Sequence, residues 1–128
     1  MASKPFAFSR ASRLLSPEQY AAALRARPFA RTASFTCHWC RNQGLKSGEF
    51  ENAKLGFIIP KRLIRLSTQR NAIKRVLREA FRYRHQSLPP GYYVFRLKAP
   101  LVASSIKQLK RKVREQADML LDQAGVKR

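Results

Sequence analysis

Arg70, Lys74, Arg75, Arg78 and Arg82, with Asn71 beside them, recur at intervals of three and four residues, the spacing that gathers side chains on one side of an α-helix. Ala72, Ile73, Val76, Leu77, Ala80 and Phe81 fall on the opposite side, so residues 70–82 divide into an apolar face and a cationic one. The chemistry open to the cationic face is neutralisation of phosphate. Like charges four apart, as in Arg70 and Lys74, Lys74 and Arg78, or Arg78 and Arg82, each cost an isolated helix about 0.2–0.5 kcal/mol. A face made for solubility would mix signs, and Glu79 is the sole acid in this stretch. A polyanionic partner accounts for the excess. Asn71 lies near the expected helix start, where free backbone N–H groups favour an anion.

Other residues invite chemistry and give less. The CHWC segment at 37–40 suggests a metal or a dithiol. A structural zinc needs four ligands, however, and only His38 and the distant His85 can join the two cysteines. A reactive dithiol needs a helix start to lower its pKa, whereas this pair falls at a strand end with its side chains on opposite faces. Free thiols in a reducing compartment are expected, and no metal bound by the protein. The acids Glu18, Glu49, Glu51, Glu79, Glu115, Asp118 and Asp122 form no cluster suited to a two-metal centre. Nothing in the spacing brings His38 and His85 together for acid–base cleavage. No catalytic residue is assigned to the protein.

The whole chain repeats the message of the helix. Its 27 Lys and Arg against 7 Asp and Glu give a formal net charge of +20 over 128 residues, which makes nucleic acid the expected partner. A hydrophobic content of 45%, with 10% aromatic residues, supports a folded core and argues against a wholly disordered basic tail. No apolar run approaches the roughly 18 residues of a membrane span, and the start MASKPFAFSR has no secretory hydrophobic segment. A cytoplasmic protein with no membrane partner is expected. The Ser- and Arg-rich opening also has the composition of an organelle transit peptide.

These side chains need elements to hold them. Ser16, Pro17 and Gln19 form a helix start with a capping box, continued by Tyr20, Ala23, Leu24 and Arg27 and stopped by Pro28. Phe35, Cys37 and Trp39 alternate with Thr36 and His38, the pattern of a half-buried strand. The connection that follows has room for a short strand around Leu45 or Phe50. KLGFII at 54–59 is a second dense β run ending at Pro60. Ser67 or Thr68 can cap the basic helix, which ends before the Pro89, Pro90, Gly91 turn. YYVFRL at 92–97 is a further strand. A last helix opens at Ser105 with Gln108 three residues on and buries Ile106, Leu109, Val113, Ala117, Leu120 and Leu121 before Gly125. The expected architecture is α+β, a single-domain sandwich in the order α-β-β-β-α-β-α with helices on a small mixed sheet. Residues 1–12 are expected as a disordered basic tail, 13–124 as the domain and 125–128 as a short basic tail.

Residues 54–62, KLGFIIPKR, followed by RNAIKRVLREAFR at 70–82, resemble the signature of the bacterial ribonuclease P protein component. The flanks RLLSPEQYAAAL and GYYVFRLKAP are similar too, so the likeness spans roughly residues 13–121. Two departures stand out: Ala72 replaces an arginine of the family pattern, and LIRLSTQ at 63–69 lacks the expected glycine. Arg65 is the candidate to compensate for Ala72. The resemblance implies a left-handed β-α-β crossover, against the general preference of such units. It implies that Lys61, Arg62, Arg70, Asn71, Lys74, Arg75 and Arg78 meet a catalytic RNA, to which Arg65 and Arg82 are added here. It also implies that Tyr20, Leu24, Thr36 and His38 line a cleft for the single-stranded 5′ leader of precursor tRNA. Read as residues alone, without the resemblance, Tyr20 and Leu24 are ordinary core positions. On the family reading, catalysis and its Mg2+ belong to the RNA subunit, and the holoenzyme is an endoribonuclease that frees the mature tRNA 5′ end. The alternative is a small ribosomal or chaperone-like RNA-binding protein with no part in tRNA processing.

Overall fold

The structure, a computed structural model, describes residues 16–41, 53–84 and 87–127. Helix α1 (Pro17–Arg25) starts as expected: the Ser16 hydroxyl accepts from the Gln19 N–H at 3.3 Å and the Gln19 side chain accepts from the Ser16 N–H at 2.9 Å. It ends at Ala26, so Arg27 lies beyond it. Pro28 not only stops the helix but opens a strand, β1 (Pro28–Arg31), because the first residue of an edge strand needs no N–H. Strands β2 (Phe35–Cys40), β3 (Ala53–Ile58) and β4 (Gly91–Leu97), with helices α2 (Ser67–Arg84) and α3 (Ile106–Lys127), complete the order α-β-β-β-α-β-α. The third strand before α2 is therefore β1. The strand expected around Leu45 or Phe50, and the tail at 1–12, fall outside the described residues.

The four strands form one mixed sheet in the order β1-β2-β4-β3. β2 pairs antiparallel with β1 and β4, whereas β3 and β4 are parallel and α2 crosses between them. The alternation of side chains sorts the sheet into two faces. Phe35 and Cys37 from β2, Leu55 from β3, and Tyr93, Phe95 and Leu97 from β4 point to one side, where they meet Ile73, Leu77, Ala80 and Phe81 of α2. Leu109, Val113, Ala117, Leu120 and Leu121 of α3 close the same core. The other face carries α1, whose Ala23 is buried on Tyr92 and Val94, with Tyr20, Leu24, Cys40 and Ile58 around them. β2 is thus covered on both sides rather than half-buried: Thr36 is 4% and His38 6% exposed.

Four local expectations change. Leu66, not Ser67 or Thr68, takes the capping position of α2: its carbonyl accepts from the N–H groups of Gln69 and Arg70. The helix start is secured from within, since Arg70 Nη1 donates back to the carbonyls of Ile64 at 2.9 Å and Arg65 at 2.7 Å. α3 is capped by Ser105, whose hydroxyl accepts from Gln108 N–H at 3.1 Å, but Gln108 reaches Ser104 instead of closing the box on Ser105. Ile106 sits in this first turn, 40% exposed, and does not join the buried stripe. The helix also runs through Gly125 to Lys127, because a glycine weakens a helix by about 1 kcal/mol and does not by itself end one.

Gly91 opens β4 with φ +148°. A Cβ there would sit 2.5 Å from the Cys40 carbonyl oxygen and closer still to Trp39 Nε1. Only glycine fits that approach.

Candidate nucleic-acid interface

The apolar positions of α2 hold the helix on the sheet, and that docking leaves the opposite face outward. Asn71 and Arg75 are exposed, Lys74 and Arg78 half-buried. Lys61, Arg62 and Arg65 are exposed on the segment leading into α2, which is turned by two N–H bonds, from Leu63 and Ile64, onto the Pro60 carbonyl and anchored by buried Ile64. None of these cations has a carboxylate within ion-pair distance among the described residues. The ion pairs lie toward the C-terminal end of α2, where Arg82 meets Glu79, Arg84 meets Asp118 and Asp122, and Arg114 meets Asp118. The unneutralised charge is therefore segregated, as a phosphate-binding surface requires.

Two of the expected contact residues are otherwise engaged. Arg70 ties down the loop before its own helix. Arg82 is paired with Glu79 at 2.5 Å and lies over the Tyr83 ring at 4.8 Å; the hydrogen bond to Glu79 is the main reason its pKa is raised further. Spacing alone put both on the cationic face, and spacing does not show a partner carbonyl or carboxylate. Arg78 is the opposite case: its guanidinium lies 6.0 Å from the Phe57 ring centroid and its buried Nε finds no acceptor among the described residues. A buried donor left open is costly, about 1–3 kcal/mol.

Ala72 faces a depression of about 310 Å³ that it shares with Thr68, Asn71, Arg75, Ile106 and Lys110. Arg65 is not among these residues. Lys110, from α3, is the cation that stands across from Ala72, and sequence reading missed it because nothing in the spacing of α3 says that this turn lies beside α2.

The second surface lies under α1. Tyr20 and Leu24 are half-buried on the sheet face that also bears Thr36 and His38. Tyr20 is fixed by its hydroxyl, which accepts from the Phe57 N–H at 3.1 Å. His38 Nδ1 is 2.9 Å from the Ala26 carbonyl, which requires a proton on Nδ1, and the Thr36 hydroxyl lies 3.4 Å from Nε2. The imidazole therefore pins the end of α1 to β2. Thr36 and His38 form the floor of this region, largely covered, while Tyr20 and Leu24 form its rim. Arg96 completes it: it is exposed, has the same parity as Tyr92 and Val94, and stands in register between Thr36 and Ile58. A lone cation in YYVFRL was the available signal.

Cys37 is buried and Cys40 half-buried, and neither is in a disulfide. Burial pushes the Cys40 thiol pKa up, and the nearby Arg25 charge opposes this only in part. Among the described residues no three His, Cys, Asp or Glu side chains form a group able to hold a metal ion, and no helix is long and apolar enough to cross a membrane.

Comparisons with known proteins return the same fold. The chain superposes on the ribonuclease P protein of Staphylococcus aureus with a TM-score of 0.70 at 18% identity, over 88% of this chain and 94% of that one. The Thermotoga maritima ribonuclease P protein gives a TM-score of 0.59 at 20% identity, over 80% and 91%. The likeness in sequence is closer: 44% identity over 107 residues with the ribonuclease P protein component of Bordetella avium, covering 84% of this chain and 86% of the relative. The component of Paraburkholderia xenovorans is 32% identical over 124 residues, covering 93% and 84%. With the ribonuclease P family model matching residues 8–121, the chain belongs to the ribonuclease P protein component family.

Proposed function

We propose that this chain assembles with a catalytic RNA as the protein subunit of ribonuclease P and promotes endonucleolytic removal of the 5′ leader from precursor tRNA in the cytoplasm. The observation that carries the reading is the segregation of charge: Lys61, Arg62, Arg65, Lys74, Arg75 and Arg78 have no acidic partner among the described residues. Each phosphate such a cation meets releases condensed counterions, so assembly is driven by charge and weakened by salt. Asn71, one turn into α2, adds a neutral donor and acceptor to the same contact.

The rim of Tyr20 and Leu24, with Arg96 beside it, takes the single-stranded leader. An aromatic ring serves every base about equally, at roughly 1–3 kcal/mol per base stacked. Such a cleft suits leaders of varied sequence. Mg2+, held with the RNA, supplies the activated nucleophile and offsets charge on the scissile phosphate; the protein's own residues position the leader and screen repulsion between the two RNAs.

The test is leader length. Bound to catalytic RNA, the protein is expected to strengthen binding of precursor tRNA over mature tRNA, with the gain rising as the leader is extended across the cleft and then levelling off. A gain independent of leader length contradicts the reading and favours a general ribosomal or chaperone-like RNA-binding protein.

A further inference from the structure

The seam between α2 and α3 borders the cationic face of α2, with Arg75 common to both, and continues it onto α3. Two depressions of about 310 and 400 Å³ lie along it and share Arg75 and Lys110 as walls, so they form one trench. Ala72 and Ile106 line one end, and Val76 with Arg111 the other. Each depression is at the low end of the ~300–1,000 Å³ typical of sites for small organic ligands. The rim is cationic and the floor aliphatic. Arg75, Lys110 and Arg111 are exposed and have no acidic partner among the described residues. The two charged groups that are neutralised, Glu79 by Arg82 and Arg114 by Asp118, lie at the far end.

We propose that this trench seats one unpaired nucleotide of the RNA partner, its phosphate held between Arg75 and Lys110 and its base laid on the aliphatic floor at Ala72 and Ile106. Two facing cations without counter-charge fit a phosphate, since a charge-assisted contact of this kind is among the stronger polar interactions. The apolar floor is what distinguishes the site from a plain basic patch. Duplex RNA hides its bases, whereas a bulged or looped nucleotide presents one. Ala72 is the residue that leaves the space: a long side chain there would fill the end of the trench. The proposal rests on the reading of the partner as structured RNA, and it extends the interface from α2 onto α3.

Affinities of the full chain and three variants are to be measured for a transcribed bacterial ribonuclease P RNA and for an unrelated structured RNA of equal length, at several salt concentrations. Lys110→Ala is expected to weaken binding about tenfold, the worth of one charge-assisted contact, and to lower the log-log salt slope by about 0.7–0.9. Lys107→Ala removes an equal charge from the exposed side of the same helix, outside the trench, and is expected to change affinity less than about twofold. Ala72→Leu keeps both cations and fills the floor; it is expected to weaken binding with the salt slope unchanged. Thermal melting checks that each variant folds. Equal effects of Lys110→Ala and Lys107→Ala, or no effect of Ala72→Leu, overturn the trench. Equal affinity of the unaltered chain for the two RNAs counts instead against the ribonuclease P reading, and the comparison of Lys110 with Lys107 still decides the trench.

Discussion

Of the eight cations that the sequence assigns to RNA, Lys61, Arg62, Arg65, Arg70, Lys74, Arg75, Arg78 and Arg82, two are engaged within the protein, Arg70 by carbonyls and Arg82 by Glu79. The difference has a measurable size. Each phosphate neutralised contributes roughly 0.7–0.9 to the slope of log affinity against log salt. Arg75→Gln is therefore expected to reduce the slope by that amount, so that raising salt from about 50 to about 200 mM weakens binding about threefold less than in the unaltered protein. The double change Glu79→Gln with Arg82→Gln replaces an ion pair by two neutral side chains and leaves the net charge as it was. Its slope is expected to match that of the unaltered protein. The assay is fluorescence anisotropy with labelled ribonuclease P RNA across a salt series. If the double variant loses as much slope as Arg75→Gln, Arg82 leaves Glu79 to meet a phosphate, and the sorting of cations by their internal partners fails.

Further outcomes follow from single contacts. Tyr20→Phe removes the hydroxyl that accepts from Phe57 N–H and is expected to cost about 1 kcal/mol of stability in a denaturant titration, while the ratio of precursor to mature tRNA affinity holds; Tyr20→Ala is expected to lower that ratio. Gly91→Ala forces a Cβ against Trp39 and the Cys40 carbonyl at φ +148° and is expected to destabilise by about 2–4 kcal/mol, read from the denaturation midpoint. Because burial raises the Cys40 thiol pKa, less thiolate is present at a given pH, and alkylation of Cys40 at mildly alkaline pH is expected to be slower than that of an unhindered thiol and to gain speed at higher pH than that thiol.

Periodicity made α1, α2 and most of α3 legible, alternation did the same for β2, and dense runs of β-branched and aromatic residues did so for β3 and β4. What it could not show was what each face meets. β2 reads as half-buried because Thr36 and His38 are polar, yet α1 lies over them and their polar atoms are satisfied there. β1 went unread since Pro28 announces a stop more loudly than an edge strand of four residues announces itself. In the candidate interface, residue type identified the cationic face of α2, but only the fold shows that Arg70 and Arg82 are engaged, that Arg96 joins the α1 cleft, and that Lys110 of α3 stands opposite Ala72. Contacts between elements distant in sequence leave no local pattern.

The most direct measurement is cleavage of a precursor tRNA at low magnesium by a bacterial ribonuclease P RNA, with and without the purified protein. The account predicts no cleavage by the protein alone, little by the RNA alone, and release of the leader at the mature 5′ end when the two are combined, with Arg75→Glu suppressing the gain. Leader release by the protein alone, or an RNA whose activity is the same in its presence and absence, contradicts it.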